Sequence, residues 1–119
     1  MTASECLIAV KAGGADFQRA INSFIDDFRR ADDLGKRMLV TDPLIVPGTF
    51  EGLVAAVVSA LCREAKIEAP SWVNQVFSPE PFFAFPSCSF ALRVRLMLES
   101  PAPFRIRNVF VPENYLDRA

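Results

Sequence analysis

A chain of 119 residues that is 51% hydrophobic has the length of one domain and can bury a core without metals or disulfides. A net charge of −1 removes any global electrostatic argument for nucleic acid or an anionic membrane as partner, and a near-neutral surface favours a homo-oligomer. The absence of histidine excludes Ser-His and Cys-His catalytic pairs and any His-containing metal site.

The three cysteines, Cys6, Cys62 and Cys88, are odd in number and far apart, which fits a reducing cytoplasm and no disulfide framework. No basic leader precedes the first apolar residues, so no signal peptide is expected. The longest near-apolar run, 53–62, is about half of what a bilayer requires, and a soluble protein is expected.

In chain order, Ser4 can cap a first short element, Cys6–Val10, that Gly13-Gly14 stop. So short a run suits a helix or a buried strand, and the cap and glycine stop favour the helix. Asp16 can cap a second helix, in which Phe17, Ala20, Ile21, Phe24, Ile25 and Phe28 recur at three- and four-residue spacing. It should run to Asp33 or Leu34 and end at Gly35. Residues 36–48 read as a connection held extended by Pro43 and Pro47, with Leu44, Ile45 and Val46 against the core.

Thr49 then caps a helix over 49–66 that is apolar around most of its circumference, so it should be a central helix sheathed by others. Gly52 in its first turn allows a neighbouring backbone to come close. A short helix beginning near Pro70 carries Trp72, Val73, Val76 and Phe77. Residues 78–86 hold three prolines and three phenylalanines and should lie extended across the helices. Ser87 or Ser89 caps a last long helix, 90–99, with Phe90, Ala91, Val94, Met97 and Leu98 as its buried side and Leu92 and Leu96 near it. Residues 104–111 read as an extended run with Phe104, Ile106, Asn108 and Phe110 on one side and Arg105, Arg107, Val109 and Val111 on the other. Residues 113–119 suit a final helical turn.

The expected fold is therefore all-α: one domain over 1–119, a bundle of five to six helices around 49–66, with a short extended C-terminal segment. No catalytic motif and no cofactor or metal set stands out. Arg93, Arg95, Arg105 and Arg107 form the only basic concentration. They serve either as salt-bridged surface groups or, through bidentate guanidinium contacts, as a phosphate or carboxylate site. Asp26-Asp27 and Asp32-Asp33 point about 100° apart on a helix and so do not converge on one ion. Trp72 with Phe77, Phe82, Phe83 and Phe85 is either core or the lining of a ligand pocket or protein-binding groove. Cys88 near a helix start has no base to make it a nucleophile. Asn108 either satisfies backbone at a junction or faces a partner.

Two stretches carry a resemblance. One is Leu61, Arg63, Glu64, Ala65, Pro70 and Trp72, a helix exit ending in P-x-W. The other is Ser100, Pro101, Ala102, Phe104, Arg105, Arg107, Phe110, Leu116, Arg118 and Ala119. In both, and in residues 17–31, the chain resembles a group of small bacterial proteins and domains without established chemistry. Some members of that group are fused to helix-turn-helix domains and some are antitoxin-like. The resemblance implies a non-catalytic, cytoplasmic protein-interaction module with a protein partner, and no catalytic residue. Trp72, Phe82, Phe83, Arg105, Arg107 and Asn108 are the candidate partner-binding residues. No direct contact with nucleic acid or membrane is expected. The alternative is a small-molecule-binding or enzymatic domain that uses Trp72, Phe82 and Phe83 with the arginines.

Overall fold

The computed structural model describes residues 1–44, 48–84 and 89–117. Ile45, Val46, Pro47, Phe85, Pro86, Ser87, Cys88, Arg118 and Ala119, to which the sequence assigns parts of the connection, the aromatic segment, a cap and the last turn, lie outside the described residues.

α1 (Ala3–Gly13) is a helix, which decides the helix-or-strand question for its start. Its cap is Thr2 rather than Ser4. The Thr2 hydroxyl accepts from the Glu5 amide at 3.1 Å, and the Glu5 carboxylate accepts from the Thr2 amide at 2.8 Å. This reciprocal box needs an acid three residues on, which Thr2 has and Ser4 lacks. Ala3, Cys6 and Val10 form its buried edge.

The chain tightens through a 3₁₀ turn at Gly14–Asp16, where Gly14 has φ +55°. That turn passes the Phe17 amide to the Gly14 carbonyl, so the Asp16 side chain makes no capping bond. α2 (Phe17–Arg30) buries Phe17, Ile21, Phe24, Ile25 and Phe28 on one stripe, as its spacing dictates.

α2 stops at Arg30, earlier than Gly35. The Asp32 carboxylate accepts from the Gly35 amide at 2.8 Å and starts α3 (Asp33–Leu39), with Gly35 in its first turn. An aspartate N-cap, which satisfies a helix-end donor, outweighs the glycine stop.

α4 (Thr49–Glu64) follows, with Thr49 as its first helical residue and Gly48 at the cap. Residues 51–58, Leu61 and Cys62 are buried, and α1, α2 and later elements all touch it. It closes two residues sooner than Lys66. Lys66 takes φ +59°, the Ile67 amide donates to the Cys62 carbonyl, and the Lys66 amide donates to the Arg63 carbonyl. This is a Schellman closure with lysine in the glycine position, sealed by the buried Ile67.

A 3₁₀ turn at Ser71–Gln75 buries Trp72 and Val73. β1 (Phe82–Phe83) pairs in parallel with β2 (Val109–Phe110), Phe82 beside Val109 and Phe83 beside Phe110. Between them lie α5 (Phe90–Glu99), capped by Ser89, and α6 (Ala102–Arg105).

The extended reading of 104–111 is corrected here. Pro101 at the cap and Pro103 in the first turn occupy positions that need no amide hydrogen, so the segment starts a helix. Asn108, at φ +62°, turns the chain from α6 into β2. Phe104, Arg107, Val109 and Val111 are consequently buried while Ile106 is exposed, which breaks the expected alternation. Turns at 112–115 and 114–117 end the described chain.

Most of the protein is therefore helical, with one two-residue parallel ladder among the described residues. The radius of gyration, 13.3 Å, matches a compact chain of this length. Among the described residues no helix is long and apolar enough to cross a membrane.

Candidate functional site

Two of the six candidate residues serve the core. The Trp72 indole donates to the Val40 carbonyl at 2.9 Å, in a buried setting that ties the 71–75 turn to the end of α3. Phe82 meets Phe17 and Phe50 edge-on, each at 5.8 Å between centroids. Trp72 and Phe82 thus stabilise three helices from two separate contacts.

Phe83 projects from the other side of β1. It stacks on Phe110 at 5.1 Å, and the Arg93 guanidinium lies 5.4 Å from its centroid. Asn108 is spent locally: its side-chain amide donates to the Ser78 carbonyl at 3.3 Å, and its carbonyl accepts from Phe82. Arg105 is exposed and makes no ion pair among the described residues. Arg107 is only 3% exposed and donates to the Val73 carbonyl at 2.9 Å and the Pro103 carbonyl at 2.7 Å. Arg95 pairs with Glu99 one turn away at 3.2 Å. The four arginines therefore do not converge.

What the structure does assemble is a groove of about 550 Å³ between β1 and α5, bordered by Glu80, Phe83, Phe90, Arg93, Met97 and Asn108. It contains two of the candidates, Phe83 and Asn108. The stripe beside it was expected to be buried and is not. Phe90 is 84% exposed and Leu98 75%, with Met97, Val94 and Ala91 also open, while Leu96 on the opposite side is buried. At 100° per residue, Phe90, Val94, Met97 and Leu98 fall within one quadrant or so, so this is a single apolar face. α5 bears apolar residues on both faces, and its principal packing within the chain is against β2. That two-sided pattern in Phe90–Glu99 is the signal in the sequence. Among the described residues one of these faces is packed and the other is open.

The remaining reactive groups are quiet. Burial pushes the Cys6 thiol up to about 12 and the Cys62 thiol up to about 11, so neither is a thiolate at neutral pH. Asp27 receives the N-terminal amine at 3.0 Å and pairs with Arg30, and hydrogen bonding from the amine holds its carboxyl below the usual range. Among the described residues no cluster of acids and cysteines could hold a metal ion. No protein family, curated protein or solved structure matches the chain.

Proposed function

We propose that this chain is a non-catalytic protein-interaction module whose first partner is a second copy of itself, joined through α5. The observation that carries the reading is the apolar face Phe90–Val94–Met97–Leu98, opposite the side on which α5 packs. Its exposed surface is on the order of 500 Å², at the top of what a monomer usually leaves open. With Pro81, Phe83 and the Arg93 stem beside it, the patch approaches the roughly 800 Å² per partner of a standard interface.

A two-fold pairing needs a self-complementary patch. Glu80 and Arg93 put one acid and one base on the same rim, neither in an ion pair among the described residues. The exposed Leu98 side chain and the groove lined by Phe90 give the patch an apolar side chain to insert and a recess to receive one. A net charge of −1 adds little repulsion between copies.

The bundle reading belongs to the same proposal. The burial of Leu53–Val58 supports taking α4 as the helix around which the others are arranged, with α5 as the outward arm. The resemblance to antitoxin-like bacterial domains supports a non-catalytic role in a reducing cytoplasm. The aromatic-pocket alternative loses its support, because Trp72 and Phe82 are committed elsewhere.

Sedimentation equilibrium tests this. At about 100 μM, well above the dissociation constant such an area normally gives, the particle should have twice the 13.2 kDa chain mass. Leu98→Glu should return it to a monomer with unchanged far-UV circular dichroism. A wild-type monomer at that concentration overturns the reading, whatever else binds the stripe.

A further inference from the structure

Arg107 is an anomaly. Its guanidinium is beneath the surface, its charge faces no carboxylate, and its two bonds go to main-chain carbonyls. Burial without a counter-ion lowers its pKa and is costly unless something anionic comes near. Nε and Nη1 are spent, and among the described residues Nη2 makes no bond and no buried polar atom is orphaned. Nη2 is therefore not fully enclosed, and Arg107 forms part of a wall at one place on the surface.

That place is a cleft of about 320 Å³ where the last turn of α4, the 71–75 turn and α6 meet. Arg63 reaches its edge from α4, exposed and without an ion pair among the described residues. The Asn74 amide and Ser59 hydroxyl also line it, and neither side chain is hydrogen-bonded among the described residues. Ile67 and Pro103 supply apolar wall. No carboxylate lines it. Glu64, next to Arg63 in sequence, is turned away and held by Arg29 at 2.8 Å.

We propose that this cleft binds a small oxyanion ligand, a molecule bearing a phosphate or carboxylate group, held between the Arg63 guanidinium and Nη2 of Arg107 with Asn74 as a further donor. Planar guanidinium forks suit both oxyanions, and the volume suits a small molecule and not a polymer. The site lies on different elements from the α5 face and is independent of it.

The full chain is titrated with inorganic phosphate and, separately, succinate by isothermal calorimetry and thermal melting, against sodium chloride of equal ionic strength. At least one probe should give saturable heat and a rise in Tm that chloride does not reproduce. Response to phosphate alone assigns a phosphoryl ligand, and response to succinate alone assigns a carboxylate. Arg63→Gln should weaken binding about tenfold, as expected for loss of one charge-assisted contact. Its unliganded Tm should change little, because the exposed Arg63 side chain makes no hydrogen bond or ion pair among the described residues. Arg107→Lys, which keeps a charge but cannot hold both carbonyls and still offer a nitrogen to the cleft, should also weaken binding. A Tm rise that follows ionic strength alone, no heat with either probe, or Arg63→Gln binding as wild type overturns the proposal.

Discussion

Gly52 and Ser78 are in backbone contact: a methyl group added to Gly52 would lie 2.5 Å from the Ser78 amide nitrogen and 2.9 Å from the Phe77 carbonyl carbon. The segment that leads into β1 thus passes directly against the first turn of α4 at Phe77–Ser78. Gly52→Ala gains about 1 kcal/mol in helix propensity but forces backbone apart. Overpacking at an immovable wall costs about 1–3 kcal/mol or more, so the net effect should be destabilising. A lower urea midpoint is expected, and an unchanged or raised midpoint would mean that the 77–78 backbone yields.

Phe24 is fully buried against Phe28 at 6.2 Å. Phe24→Ala should cost about 3–5 kcal/mol through lost transfer energy and the cavity left behind. Chemical denaturation measures this directly.

Lys66 occupies a left-handed backbone conformation at the end of α4. Lys66→Gly removes the Cβ penalty without touching a packed side chain, and should stabilise by about 0.5–1 kcal/mol. Asn108, at φ +62°, tolerates the same conformation better than most residues but also bonds Ser78. Asn108→Gly should therefore be closer to neutral, and Asn108→Val clearly destabilising. Midpoint shifts in a common denaturant check the order.

Ser100 knots two segments. Its hydroxyl accepts from the Val111 amide at 2.8 Å, and its single proton serves the Leu96 or the Val111 carbonyl. Ser100→Ala leaves a buried amide unpaired and should cost about 1–3 kcal/mol. Hydrogen exchange at Val111 should accelerate in that variant.

Alkaline pH should unfold the protein progressively. The Cys6 and Cys62 thiols, ordinarily near 9.0, are raised to about 12 and about 11 by burial, and burial also raises the Tyr115 phenol. Above pH 9 the unfolded chain loses protons that the folded chain retains. Stability is thus intact below pH 9 and falls as pH climbs toward 12. Denaturant midpoints between pH 7 and pH 11 measure the slope, which Cys6→Ala should flatten.

The parts of this fold that could be read from the residues are those where one physical signal acts alone. The Phe17–Phe28 stripe has a single periodicity and nothing competes with it. The run from Leu53 to Cys62 is so apolar that few surfaces could take it. Reading failed where two signals met. Asp32 and Gly35 argued for opposite events three residues apart, and the carboxylate prevailed. Residues 104–111 fit strand alternation, yet Pro101 and Pro103 stand where a helix start needs no amide hydrogen, and the helix won.

In α5 the period correctly grouped Phe90, Val94, Met97 and Leu98, but periodicity says which residues share a face and not which way that face looks. The cleft was illegible for a simpler reason. Arg63, Asn74 and Arg107 are far apart in sequence and meet only because α6 folds back on α4. Alternation had placed Arg107 on a wet strand face, and no local pattern announces a buried arginine held by carbonyls.

The parallel pairing of β1 with β2 makes everything between them a tethered loop, pinned at both strands. α5 can lift from β2 while Leu53–Val58 stay sealed, so its amides should exchange with deuterium sooner than those of α4. A second molecule lying on α5 would slow that early exchange and leave the late exchange unchanged, which turns the ratio of the two rates into a gauge of occupancy that needs no label and no knowledge of the visitor.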